Sequence, residues 1–214
     1  MKLTVTMFQS LDGVLQSPGG PEEDPSQGFD LGGWLVPSVD EGFGEIAGPW
    51  FDDADAFLLG RRTYELMAQH WPHVTDPADT AATKLNTLPK YVPTSTLTEA
   101  TWHGTHLLSG DLAAEVRELK SRPGRALQVH GSGRLVQSLL RAELVDELRL
   151  MTFPVVLGTG QRLFEGVVPA SWRLADVRST PAGVIGHTYE YAGRPALGSI
   201  RVDAEGREEL VDAR

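Results

Sequence analysis

Two short runs of this 214-residue chain combine an apolar strand, glycines, cations and the start of a helix. They are "LLGRRTYE" (58–65) and "VHGSGRLV" (129–136). Glycines at a strand-to-helix turn carry no Cβ, so backbone N–H groups at the helix N-terminus can approach a phosphate there. Gly60, Arg61, Arg62 and Thr63 form the first such turn, and Gly131, Ser132, Gly133, Arg134 and Leu135 the second. Two arginines at a helix N-terminus oppose the helix macrodipole, and an anion between them offsets that cost. Guanidinium forks and the Thr63 hydroxyl suit a phosphate or pyrophosphate. The chemistry these turns could do is recognition of a nucleotide; the structural alternatives are a plain strand-to-helix turn at Gly131–Gly133 and a surface pair of Arg61 and Arg62 with Tyr64 in the core. A Rossmann dehydrogenase is disfavoured: the third glycine of its fingerprint falls on Val136, and no acid stands about 20 residues further on to hold a ribose.

Two carboxylates are rival proton donors. Asp12 lies in a turn with Gly13 after the first strand, and Asp40 opens a short helix expected over 38–47. Each also has a structural use, as turn chemistry for Asp12 and as a helix-start acid for Asp40. Trp34 and Phe43 either line a substrate cleft or anchor the long loop before them. His130 ends a strand beside the glycine turn, where it packs or hydrogen-bonds while bordering a bound cofactor. His70 and His73, and likewise His103 and His106, have ligand-like spacing but no third ligand, so no metal is expected.

These residues need elements to place them. Strands are read over 3–8, 55–60, 90–94, 105–109 and 126–131, with helices over 62–71, 112–122 and 134–144. Ser109 or Asp111 caps the second of these helices. Residues 16–33, "QSPGGPEEDPSQGFDLGG", form a loop too long to be a mere connector, hence functional or disordered. After residue 146 the pattern becomes strands alone: "DELRLMTFPVVLG", "WRLADVRST" and "GVIGHTYEYA", the last two joined as a hairpin around Pro181 and Gly183. Parallel strands joined by helices, finished by an antiparallel edge, place ligands beyond the strands' carboxyl ends.

Composition removes several classes of function. There is no cysteine, so disulfides, thiolate catalysis and Cys-ligated zinc are excluded. A net charge of −10 argues against a nucleic-acid partner. No stretch approaches the ~18–20 apolar residues of a membrane span. The N-terminus lacks the apolar run of a signal peptide, and the expected location is cytoplasmic.

Taken together, "SLDGVL" (10–15), "LLGRRTYE" (58–65), "KYVPTSTL" (90–97), "VHGSGRLVQSLL" (129–140) and "LVDELRLMTFPVVLGTGQRLF" (144–164) resemble the dihydrofolate reductase superfamily, in particular its RibD C-terminal (riboflavin-biosynthesis reductase) branch. The resemblance covers residues 1–192 as one domain and leaves 193–214 as a polar tail, either a weak hairpin about Ala204–Gly206 or frayed. It implies a three-layer α/β/α sandwich around a mixed, mostly parallel sheet with a C-terminal antiparallel hairpin, and NADPH as hydride donor. Gly60, Arg61, Arg62 and Thr63 would then hold the 2′-phosphate and pyrophosphate, with Thr94 and Ser95 by the adenosine end. Gly131, Ser132, Gly133, Arg134 and Leu135 would wrap the pyrophosphate. Leu11, Asp12, Gly13 and Val14 would border the nicotinamide. The implied substrate is a small pterin-like or aminopyrimidine-like molecule, of the 5-amino-6-(5-phosphoribosylamino)uracil kind. The acid that true dihydrofolate reductases place beside the pterin has no clean match at Asp40, which leaves a non-catalytic NADP(H)-binding module as the alternative. The uncovered apolar strands after residue 146 predict a homodimer, as relatives on this branch tend to form.

Overall fold

Leu3, Val5 and Met7 alternate with Thr4, Thr6 and Phe8 along the first strand, β1 (Lys2–Ser10), and almost every one of these side chains is buried or half-buried. A strand buried on both faces needs a layer on each side. The computed structural model, which describes residues 1–212, supplies both layers. After β1 come α1 (Glu41–Asp52), β2 (Ala54–Leu58), α2 (Arg61–His70), α3 (Thr80–Thr87), β3 (Lys90–Pro93), β4 (Thr105–Leu108), α4 (Leu112–Ser121), β5 (Ala126–Val129), α5 (Gly133–Arg141) and β6 (Glu147–Phe153). The chain ends with β7 (Trp172–Ser179), β8 (Ile185–Tyr191), β9 (Gly198–Val202) and β10 (Glu208–Asp212).

Eight strands make one sheet in the order β4-β3-β2-β5-β1-β6-β8-β7. The six from β4 to β6 are parallel, and β8 runs antiparallel to both β6 and β7. Alternation within the strands sorts the core. Ala56 and Leu58 join Val116, Leu119, Val136 and Leu139 beneath α4 and α5. Phe57 and Leu59 face the other way, toward Tyr64 and Leu85 of α2 and α3. Beneath α1, Ile46 and Trp50 pack with Phe153, Val14 and Trp34.

The architecture agrees with the sequence reading, and the local differences have physical causes. Helix α3 was not expected, because "TAATKLNT" buries only Ala82 and Leu85 in an otherwise polar stretch. Asp79 caps its N-terminus through Ala82 N, and the buried Lys90 closes its other end by donating to the Leu85 and Leu88 carbonyls at 2.7 and 2.9 Å. The expected helix over 38–47 starts at Glu41 and runs to Asp52. Strand β6 stops at Phe153 rather than continuing through "VVLG", since Pro154 has no N–H to donate to a ladder. The loop 16–33 has a defined path. Gln16 accepts from Trp34 Nε1 at 2.7 Å through its carbonyl and donates to the Asp24 and Ser26 carbonyls through its amide. The tail forms the β9–β10 hairpin turning at Ala204–Gly206, and residues 213–214 lie outside the described residues.

Candidate functional site

Strand β5 lies between β2 and β1, so three parallel strands end side by side and deliver three loops to one place. The loops are stitched together before any ligand is considered. Gly60 N donates to Gly131 O at 3.0 Å. A Cβ at Gly60 would meet Ser132 Oγ at 2.4 Å, and one at Gly133 would meet Leu15 Cδ1 at 2.7 Å. Gly131 has φ +105°, and a Cβ there would press on Thr63 Oγ1 at 3.0 Å. These glycines therefore serve close approach of protein to protein. The sequence reading had given that space to a phosphate.

Beside the stitched loops opens a cleft of about 420 Å³. One wall is Arg62, Thr63, Leu66 and Met67 of α2, with His130–Arg134 leading into α5. The other wall is the long loop, through Gln16, Ser17, Pro18, Glu23, Asp24 and Ser26, with Met7, Phe8, Leu15 and Gln161 below. Both helices enter without a side-chain cap at Gly60 and Ser132. Free N–H groups and the positive ends of two dipoles thus converge on one cavity. Arg62 and Arg134 add two cations, and Arg62 Nη1 meets Asp24 Oδ1 at 2.7 Å.

Behind the cleft runs a buried polar chain. Arg149 holds Asp53 through two bonds of 2.9 and 2.6 Å and Glu147 through one of 2.6 Å. Gln128 donates to Asp53 Oδ1 at 2.8 Å, which leaves its Oε1 to accept from His130 Nε2 at 3.0 Å. The His130 ring stacks on Phe51 at 4.9 Å. Burial, with Arg149 nearby, pushes its pKa down to about 3, so the imidazole is neutral near pH 7.

Residues 1–185 match the RibD C-terminal domain family. The chain belongs to that family. It is 27% identical over 195 residues to the uncharacterized protein YyaP of Bacillus subtilis (strain 168), covering 90% of this chain and 96% of that one. A crystal structure of a protein assigned to riboflavin biosynthesis in Shewanella sp. PV-4 superposes with a TM-score of 0.63 at 22% identity, covering 90% of this chain and 99% of that one. Dihydrofolate reductase from Enterococcus faecalis, complexed with NADP(H), superposes with a TM-score of 0.57 at 15% identity over 89% of this chain and 96% of that one. The fold is that of dihydrofolate reductase-like proteins, as the sequence resemblance implied.

Within this RibD C-terminal domain the expected site residues separate into two groups. Arg62, Thr63, His130, Gly131, Ser132, Gly133 and Arg134 line the cleft together. Gly60 and Leu135 stand directly behind it, as the N-cap of α2 and a buried residue of α5. Arg61 lies on the outer side of the same helix start, donating to Thr96 Oγ1 at 2.5 Å and pairing with Glu65 at 3.1 Å. Thr94 and Ser95 belong to that Thr96 turn, where Thr94 Oγ1 accepts from Thr96 N and Leu97 N. Leu11 is exposed at the strand end, Gly13 turns with φ +79°, and Val14 is buried.

The expected acids and aromatics have other work. Asp12 accepts from Ser10 Oγ at 2.7 Å and from Leu157 N and Gly158 N, and it pairs with Arg162. The Ser10 hydroxyl and those backbone bonds hold its carboxyl well below the usual carboxylate range. A group kept ionised that way ties loops and is a poor proton donor. Asp40 caps α1 through Phe43 N at 3.2 Å and takes Ala182 N at 2.8 Å. Trp34 is buried edge-on to Phe153 at 5.6 Å, and Phe43 packs on Phe8 at 5.6 Å. None of these four side chains lines the cleft. Sequence reasoning missed Gln16, Ser17, Asp24, Ser26 and Gln161, and the only signal for them was the length of the loop 16–33.

Proposed function

We propose that this protein is an NADPH-dependent reductase acting on a small pterin-like or aminopyrimidine-like substrate. The observation that carries the reading is the pair of uncapped helix N-termini, α2 and α5, that share one cavity with Arg62, Thr63 and Arg134. Such a cradle fits a pyrophosphate, because unpaired N–H groups and aligned dipoles favour an anion. Arg61, bonded to Thr96 of the Thr94–Thr96 turn, is the cation this reading assigns to the 2′-phosphate, as the family resemblance implies. NADPH would supply the hydride. The chain would supply orientation by the two helix starts, a floor of Met7, Phe8 and Leu15 that excludes water, and a neutral His130 that adds no charge near the transferred hydride.

One observation favours a second reading, a non-catalytic NADP(H)-binding module: Asp12 and Asp40 both stand outside the cleft wall. A single experiment separates the two. Fluorescence titration should show NADPH binding, with NADH at least tenfold weaker. Addition of aminopyrimidine or pterin candidates should then consume the nicotinamide absorbance. Binding without consumption across that panel selects the module, and no binding at all overturns both.

We further propose a homodimer. Strand β7 ends the sheet with nearly every residue exposed, and its Leu174 and Val177, with Ile185 of β8, present apolar surface there. Light scattering should report about twice the chain mass of 23.3 kDa, and a monomer would refute this.

A further inference from the structure

The charge of the cleft conflicts with the ligand it is shaped to hold. Two cations line it, Arg62 and Arg134, and so do two anions, Glu23 and Asp24. With His130 neutral, the lining carries no net positive charge, in a protein of net charge −10. Both anions come from one segment of the long loop, and Asp24 is its clasp. Its Oδ1 meets Arg62 Nη1 at 2.7 Å, its backbone N donates to Ser17 Oγ at 2.6 Å, and its carbonyl accepts from Gln16 Nε2 at 2.9 Å. The segment is bounded by two non-glycine residues with positive φ, Ser17 at 48° and Gln27 at 61°. Left-handed backbone at such residues is strained and is kept only while neighbouring contacts hold it.

We propose that Asp24 sets the phosphate affinity of this cleft: its carboxylate occupies the Arg62 guanidinium, and a pyrophosphate group must displace it and the loop segment it clasps. This deepens the reductase reading and rests on it for the identity of the physiological anion, though not for the competition itself. A phosphate and a carboxylate on the same face of one guanidinium repel each other in a partly desolvated site. The segment between Ser17 and Gln27 therefore opens as the anion enters, with Gln16 staying anchored by Trp34 Nε1 and by Gln161 N. Glu23, which caps Gly19 N at 2.9 Å, leaves the cleft with it.

The test uses the full chain with inorganic pyrophosphate and NADPH as probes, and adenosine as an uncharged control. Asp24→Asn keeps an oxygen that can accept from Ser26 N, as Asp24 Oδ1 does at 3.1 Å, and removes the charge together with only the long 3.5 Å bond that Oδ2 accepts from Gln161 Nε2. It should tighten pyrophosphate and NADPH by at least about fivefold and leave adenosine unchanged. In an Arg62→Ala background the gain should shrink to the through-space repulsion alone, less than half of the factor seen with Arg62 present, and an undiminished gain there overturns the proposal. Equal or weaker pyrophosphate binding by Asp24→Asn, or an equal gain for adenosine, overturns the proposal. Failure of both wild type and variant to bind pyrophosphate overturns it as well. If wild type fails with NADPH alone, the reductase reading falls, while the pyrophosphate titration still decides the role of Asp24.

Discussion

Among the described residues five α-helices pack on this sheet, and they begin in two different ways. Helices α1, α3 and α4 each start at an aspartate, Asp40, Asp79 or Asp111, whose carboxylate accepts a backbone N–H from the first turn. Helices α2 and α5 start at Gly60 and Ser132 with no such bond, and each carries an arginine in its first turn where the dipole favours an acid. A cap contributes about 0.5–2 kcal/mol, so its omission at two of five helices is a sizeable sacrifice of stability. The three capped starts face solvent or other loops. The two uncapped starts lie side by side on one wall of the cleft. The difference separates helices whose first turns are closed by a carboxylate from helices whose N-termini are left open to the cleft.

The largest effect should come from the glycine that joins the two uncapped starts. Gly131→Val places a branched side chain at φ +105° against Thr63. Strain plus overpacking should cost on the order of 3 kcal/mol in urea unfolding and remove NADPH binding. A variant of unchanged stability would show that the loops are not stitched as described.

Acid should come next. Because burial lowers the His130 pKa to about 3 from the ordinary histidine value of 6.5, the unfolded chain binds the extra proton between those values. Stability should therefore fall as pH drops from 6.5 toward 3. His130→Gln should show a shallower fall over that window than wild type, and parallel curves would exclude a buried neutral histidine.

Arg61→Ala tests the ligand side of the comparison. Loss of one charge-assisted partner should weaken NADPH by about 1.5–3 kcal/mol, tenfold or more, with little change for NADH and none in melting temperature. Asp111→Ala tests the supporting side, with the opposite signature: a stability loss of about 1 kcal/mol and unaltered NADPH affinity. If either variant moved the other's readout, the division between the two kinds of helix would fail. The smallest effect is a gain. A Cβ at Gly44 of α1 would meet nothing within 4 Å, so Gly44→Ala should stabilise by about 0.5–1 kcal/mol without touching the cleft.

Much of the fold was legible in the sequence because it rests on local periodicity. Strands such as "ALQV" and helices such as "RLVQSLL" announce themselves by apolar spacing, and the glycine-arginine turns mark where they meet. The parts that were not legible share one property, which is that their partners lie far away in sequence. Lys90 is buried only because α3 ends above it, and Arg149 only because Asp53 comes to meet it across 96 positions. Trp34 and Phe43, equally suited to a cleft or a core, went to the core around Phe153.

The sequence by itself therefore determined the order of elements apart from α3, the family and the two helix starts that could hold a phosphate. Only the tertiary structure decided which side chains reach the same cavity. It turned Asp12 and Asp40 into ties for backbone N–H groups at Leu157, Gly158, Phe43 and Ala182, and it brought Asp24 from a polar loop to the guanidinium of Arg62. Hydrophobic periodicity is a property of neighbours along the chain, whereas a carboxylate's role depends on which donor lies within 3 Å of it, and that is settled only when the loops close.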